Sequence, residues 1–266
     1  FGTAWCDAGV ICPWTIWQVY GDTRVLERHW PSMTRFMEWR KQRAPEGRGR
    51  KDGNTWGDWL NLGEETPIEF IDAPYFKLDA QWMEQMARAI GRGKEADDYR
   101  QLQARAKQHF AADYLNPASG LKVNTQTADV LALAFELLPE PLIPPTAARL
   151  AEMIRTNNYR MATGFLGTKP LLPTLSAHGH HDLAVRLFQS RQFPSWGYEV
   201  VNGANSVWER WDSFTKEHGF DGIGGKNNAA MNSFSHYSFG AVTEWMFREL
   251  AGIDTGALVQ KGSDLI

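Results

Sequence analysis

Apolar residues recur at three- and four-residue spacing through most of this 266-residue chain, and short turns bearing Gly or Pro separate the stretches that carry them. Such spacing gathers side chains on one face of an α-helix, whereas a half-buried strand needs strict alternation. The pattern predicts helices over 22–43, 67–90, 94–114, 125–138, 144–157, 181–189 and 232–250, with shorter ones over 9–20 and 171–177. Asp22 stands as the N-cap of the first long helix, Pro31 is expected to split or bend it, and Pro144 suits a first helical turn. Alternation is best over 195–201, read as the one strand-like segment. Consecutive antiparallel helix pairs without βαβ alternation or heptads fit a bundle, a solenoid or a closed helical toroid. The lack of a repeat of fixed period counts against a regular solenoid. No linker divides the chain, so 1–266 is read as a single domain.

Charge and composition exclude several functions. The 28 Lys and Arg against 31 Asp and Glu leave a net charge of −3 with no basic half, which rules out a bulk electrostatic grip on nucleic acid. The basic run from Arg40 to Gly53 is read as a solvated loop between two helices. The longest strictly apolar run, Val130 to Phe135, cannot span a bilayer, and no charged-then-apolar leader opens the chain, so no membrane partner is expected. Cys6 and Cys12 are the only cysteines and no Asn-x-Ser/Thr occurs, which makes a reducing, cytoplasmic setting the default. Dinucleotide, P-loop, His-Glu-x-x-His and Gly-x-Ser-x-Gly fingerprints are missing, and no cofactor or metal is expected. His178-Gly179-His180-His181 lacks a carboxylate or cysteine partner at ligand spacing and reads as a solvated turn. Gly222 to Gly225 reads as a loop edging a site, because no strand precedes it.

Twelve tryptophans remain to be explained, and Trp5, Trp56, Trp59, Trp196, Trp208 and Trp211 neighbour Gly, Asp or Glu rather than aliphatic residues. One indole in such a setting is ordinary core. A set of them beside acids suits a sugar, whose apolar face stacks on an indole while its hydroxyls bond carboxylates. Trp208-Glu209-Arg210-Trp211-Asp212 carries the most information. A carboxylate between two indoles and next to a guanidinium is costly to bury unless used or paired. Glu209 is therefore either a general base with Trp208 as a stacking wall, or the ion-pair partner of an arginine. Asp7, Asp58, Glu64, Glu65, Glu199 and Asp212 are further loop carboxylates, read mostly as hydroxyl ligands or caps. His236 lies among aromatics at a helix start, and a core role is the alternative there.

In order along the chain, the strings Ala4-Trp5-Cys6-Asp7-Ala8-Gly9, Gly57-Asp58-Trp59-Leu60, Thr125-Gln126-Thr127-Ala128, Thr163-Gly164-Phe165-Leu166-Gly167-Thr168, Trp208 to Asp212 and Met231 to Tyr237 resemble the catalytic domain of bacterial α-L-rhamnosidases, glycoside hydrolase family 78. The resemblance runs from Trp5 to Ile253 and implies an all-α (α/α)6 barrel-like toroid that releases terminal L-rhamnose from glycosides with inversion. Glu209 matches the family's general base. Trp5, Trp59, Trp208 and His236 match residues lining the rhamnose pocket, and Asp7 and Asp58 lie in matching motifs as substrate-binding candidates. Cys6 stands where a glycine is expected. The family's general acid belongs to an Asp/Arg/Glu-rich motif upstream of Ala4, which these residues do not contain. The expectation is a toroid incomplete at its N-terminus, weakly active or inactive alone, and prone to self-association through its open edge. A sugar-binding remnant without catalysis, and a toroid glycosidase of different sugar specificity, are the competing readings.

Overall fold

Helix follows helix in the computed structural model, which describes residues 2–49, 56–220 and 231–254. The elements are α1 (Ala8–Tyr20), α2 (Arg24–Arg43), α3 (Ile68–Ala89), α4 (Gly93–Tyr114), α5 (Gln126–Ala134), α6 (Ile143–Thr156), α7 (Phe165–Ala177), α8 (His181–Phe188), α9 (Trp196–Val201), α10 (Tyr237–Gly240) and α11 (Val242–Trp245). The last runs on into a wider turn over Met246–Leu250. A two-stranded antiparallel hairpin, β1 (Leu115–Asn116) and β2 (Gly120–Leu121), is the only sheet among the described residues.

Two kinds of helix alternate. α2, α4, α6 and α8 bury one stripe each, as in Leu26, Trp30, Met33 and Met37 of α2 or Leu183, Ala184 and Leu187 of α8. That is the pattern of a helix with one wet side. α3 and α5 are instead buried almost all round: Phe70 to Ala80 is an unbroken buried run, and so is Gln126 to Leu133. The packing order follows from this difference. α1, α3, α5 and α7 touch in succession, and each packs against the helix that follows it. The result is an inner row of helices backed by an outer row, the construction of an α/α toroid. No described helix is long and apolar enough to cross a membrane.

This alternation sorts the connections by end. Three inner-to-outer returns are tight, Gly21–Thr23, Ile90–Arg92 and His178–His180 each spanning three residues, whereas α5 reaches α6 through residues 135–142. Gly21, Gly91 and Gly179 all take positive φ there (69°, 73° and 81°), which lets the chain reverse at a helix C-terminus without a Cβ clash. Outer-to-inner connections, over residues 44–67, 115–125 and 157–164, emerge at the opposite end, beside the N-termini of the inner helices. The Trp-bearing strings belong to that end.

Several sequence expectations are corrected. Residues 195–201 form helix α9, not a strand, because Ser195 Oγ accepts the Tyr198 N–H at 2.9 Å as an N-cap. α2 begins at Arg24 and runs unbroken through Pro31; Asp22 lies outside it and pairs with the Arg24 guanidinium. α5 stops at Ala134, since Glu136 takes a left-handed backbone (φ 55°) and turns Leu137 and Leu138 into the core. Helix formation near the end starts at Tyr237 rather than Asn232. The backbone before it is bonded sideways instead, with Glu209 N–H to Ser233 C=O and His236 N–H to Val207 C=O, both 2.9 Å.

Arg40 overturns the solvated-loop reading at its first residue. It closes α2, is fully buried, and sets its guanidinium among three buried carboxyls. Nη1 bonds Asp7 Oδ1 (2.6 Å) and Asp79 Oδ2 (2.8 Å), while Nη2 bonds Asp72 Oδ1 (3.1 Å). Thr3 Oγ1 also donates to Asp72. One cation cannot neutralise three carboxylates in a dry site. Burial, with Asp7 alongside, pushes the Asp79 carboxyl well above the usual carboxylate range. The cluster ties the segment before α1, the end of α2 and the inner face of α3 together. Replacing Arg40 by Met strands these carboxyls, and unfolding free energy is expected to fall by about 3–5 kcal/mol. Urea titration measures it, and a loss under about 1 kcal/mol contradicts an organising role for the cluster.

Candidate functional site

Asp58 anchors the loop that carries Trp56 and Trp59. Its carboxylate is buried and accepts the Gly164 N–H (2.7 Å) on one oxygen, and the Leu166 (2.7 Å) and Gly167 (3.1 Å) N–H groups on the other. The Thr127 hydroxyl donates as well. These N–H groups lie in the first turn of α7, where backbone donors have no partner within the helix. Burial pushes the Asp58 carboxyl up, and its four donors hold it partly back. Gly164 permits the close approach, since a Cβ there would stand 2.2 Å from Trp59 C=O and 2.5 Å from Asp58 C=O.

Aromatic rings extend from this staple. Trp56, half exposed, meets Trp59 edge-to-face at 5.0 Å. Trp59 C=O accepts the Phe165 N–H (2.9 Å), and the Phe165 ring lies 5.2 Å from the His236 ring. His236 caps α10 through Nδ1, which accepts the Ser238 N–H, and stacks on exposed Tyr237. The backbone bonds from Val207 and Glu209 to His236 and Ser233 then bring Glu209 to the same end. Trp5 joins from the other side: Ala4 packs on the buried set Ile71, Tyr75, Leu131 and Leu166, whose last member bonds Asp58, and Trp5 itself is 36% exposed.

Glu209 is 8% exposed, and its Oε2 accepts the Ser233 N–H at 2.8 Å. Among the described residues it makes no ion pair; Arg210 turns to Asp212 instead, with Nε and Nη2 donating at 2.9 and 3.0 Å. The residue in front, Trp208, is 3% exposed and packs edge-on against Phe220 and Phe234. Its N–H is held by buried Glu199 (3.1 Å), whose carboxyl is pushed up to about 7 by burial. Glu199 thus fixes the backbone beside Glu209.

The structure therefore gathers Trp5, Trp59, His236 and Glu209 at one end and separates them from three other expected site residues. Asp7 and Asp58 lie inside the chain rather than on an open face. Both are closed off from solvent and committed to bonds inside the chain, Asp7 to Arg40 and the Ala4 N–H, Asp58 to its four donors. Trp208 is a buried backing ring rather than an open stacking face, and Trp196 and Trp211 are core, meeting edge-on at 5.2 Å. Phe165, Ser233 and Glu199 went unnoticed in these roles. Phe165 and Ser233 stood inside the motif strings, whereas nothing local marks Glu199 as a support for a residue nine positions on. His178–His181 forms the α7–α8 turn, with His181 Nδ1 bonded to Ser176, and among the described residues no group of His, Cys, Asp or Glu is placed to hold a metal. Residues 222–225 lie outside the described residues.

With this geometry in place, the chain can be compared with known proteins. Residues 1–250 match the family model described as the bacterial alpha-L-rhamnosidase 6 hairpin glycosidase domain. An alpha-L-rhamnosidase of Streptomyces avermitilis is 40% identical over 95% of this chain, and one from Alteromonas sp. is 31% identical over 94%. This chain covers 24% and 28% of those proteins, about a quarter of their length. The crystal structure of the Streptomyces avermitilis alpha-L-rhamnosidase complexed with L-rhamnose superposes with TM-score 0.85, covering 92% of this chain and 23% of that one. That of native alpha-L-rhamnosidase from Aspergillus terreus gives 0.83 at 27% identity, covering 93% and 29%.

The Glu199 environment generates a pH dependence. A carboxyl whose pKa is raised on folding favours the folded state while protonated, so its contribution is complete below about 4.5 and lost as pH rises through about 7. Glu199→Gln keeps an acceptor for the Trp208 N–H and cannot ionise. Urea midpoints at pH 5 and pH 8 are expected to differ less in this variant than in the unsubstituted chain; equal differences contradict the assignment.

Proposed function

Because the chain belongs to the bacterial alpha-L-rhamnosidase six-hairpin glycosidase domain family, we propose that it supplies the water-activating half of an inverting exo-α-L-rhamnosidase site. Glu209 is the general base. In this reaction water attacks the anomeric carbon of a terminal rhamnose from the face opposite the glycosidic oxygen. The new C–O bond forms as the glycosidic one breaks, Glu209 takes the proton of the attacking water, and a separate acid protonates the leaving oxygen. A base must be ionised, oriented and unquenched by a cation. The observation that carries the proposal is geometric: Ser233 N–H orients one Glu209 oxygen, and the adjacent guanidinium is engaged with Asp212. Trp5, Trp59 and His236 are the groups we assign to the sugar, and Trp208 backs them.

The acid motif that the resemblance places before Ala4 is not within these 266 residues, and no later carboxyl replaces it in this proposal. Loss of leaving-group protonation is worth a factor of about 10²–10⁴. The 266 residues alone are therefore expected to bind L-rhamnose in calorimetry while turning over an aryl α-L-rhamnoside weakly or not at all. Robust turnover by the isolated chain contradicts this part of the proposal.

Glu209→Gln, made in the native protein that carries these residues, is expected to lower kcat about 10²–10⁴-fold while L-rhamnose affinity stays within about threefold. An unchanged kcat removes Glu209 from the chemistry. In the unsubstituted protein, proton NMR early in the reaction is expected to find the released sugar as the β-anomer first.

A further inference from the structure

A cavity of about 550 Å³ opens on the exposed side of α8, between the connection that leaves α6 and the one that leaves α8. Asn158 and Tyr159 line it from the first connection, Asp182 and Arg186 from α8, and Gln189 and Arg191 from the second connection. Glu209 and the rings assigned to rhamnose take no part in the lining. We propose that this cavity binds a uronic acid, a pyranose whose carboxylate sits on the Arg186 guanidinium while its hydroxyls meet the surrounding amides and Asp182. The proposal stands apart from the reading of Glu209 and its neighbours as a rhamnose site.

Four observations support it. First, the Arg186 guanidinium is held flat and left unpaired. Its Cζ stands 3.2 Å from the centre of the Tyr159 ring, and that ring packs on the main core. At this separation the cation lies along the ring face, so its in-plane N–H edge stays free for a planar carboxylate. Among the described residues neither Arg186 nor Arg191 pairs with a carboxylate, although Asp182 lines the same cavity. Second, the backbone under the ring is strained. Asn158 and Tyr159 both take left-handed φ (55° and 58°), which a bulky side chain adopts only at a cost. Their N–H groups close α6 on Arg155 C=O (3.0 Å) and Ile154 C=O (2.8 Å). Glycine would make this turn at less cost, so what tyrosine adds is the platform for Arg186. Third, the connection carrying Arg191 is fixed in place. Ser190 C=O accepts the Ser195 hydroxyl at 2.8 Å, and a Cβ on Gly197 would stand 2.2 Å from that same oxygen. Ordering in advance lowers the entropy lost when a ligand binds. Fourth, the lining suits a sugar acid better than a bare ion. The volume falls within the range of small organic ligands. The Asn158 and Gln189 amides make no hydrogen bond within the described residues, so each offers donors and an acceptor to hydroxyls. Asp182 adds an acceptor, and two arginines against one aspartate favour a ligand of single negative charge.

The test is calorimetry at low ionic strength on the native protein that carries these residues, with D-glucuronate, D-glucose and inorganic sulfate as probes. D-Glucuronate is expected to bind about tenfold more tightly than D-glucose, which lacks the carboxylate, and to weaken as salt is added. Arg186→Gln alters an exposed side chain and is expected to fold, with the melting temperature as the check. It should lower the D-glucuronate affinity about tenfold while leaving L-rhamnose affinity unchanged. Arg186→Lys keeps the charge but loses the fork, and is expected to lower the affinity as well. Arg191→Gln, in the connection after α8, is a second variant with the same expected direction. D-Glucuronate that binds no more tightly than D-glucose, or an affinity that survives both Arg186→Gln and Arg191→Gln, overturns the site. Sulfate that binds as tightly as D-glucuronate and displaces it marks a bare anion site and overturns the sugar acid.

Discussion

Four hydrogen bonds converge on the carboxylate of Asp58, and the site at the N-terminal end of the inner helices depends on them. A buried carboxylate left alone is costly, and removing one partner of a buried pair costs more than the pair contributes net. Here the cost is offset by groups with the same problem: the first N–H groups of α7 point into a place without water and have no helical acceptor. Each side satisfies the other. The loop carrying Trp56 and Trp59 is thereby pinned to α7, and Phe165, at the start of α7, sets its ring against His236.

A second buried carboxylate set, Asp7, Asp72 and Asp79 around Arg40, does for the Trp5 side what Asp58 does for the Trp59 side. The segment before α1 cannot shift without breaking an ion pair in a dry region, so Trp5 projects from a fixed base. Polar residues in the interior thus act on the site indirectly. They are closed off from solvent, and they decide where the rings at this end stand. Glu199 plays the same part for Trp208, and through it for Glu209.

The helical architecture was legible in the sequence because the outer helices carry one-sided apolar stripes, a pattern that survives without tertiary information. Boundaries were less legible where tertiary bonds decided them. Residues 232–236 directly precede an apolar helical stretch, yet their backbone is bonded to Val207 and Glu209. The 195–201 segment alternates in hydrophobicity because one short helix buries Trp196, Tyr198 and Glu199 together, and the Ser195 cap outweighs that alternation. At the proposed site, ordered motif strings are what marked Trp5, Trp59, His236 and Glu209. Asp7 and Asp58 were marked for the same reason, and their burial was not legible, since a sequence does not say whether an acid beside Trp faces solvent or the interior. Arg40 was hidden in a basic run, where only the register of α2 reveals that it turns inward.

The most direct test of this account is a crystal structure of the chain with L-rhamnose bound. The sugar is expected against Trp5, Trp59 and His236, with a Glu209 carboxylate oxygen within hydrogen-bonding reach of the anomeric region, directly or through one water, at about 2.6–3.2 Å per contact, and with Asp7 and Asp58 still enclosed. A rhamnose seated elsewhere, or one bonded to Asp58 in place of the first turn of α7, contradicts it.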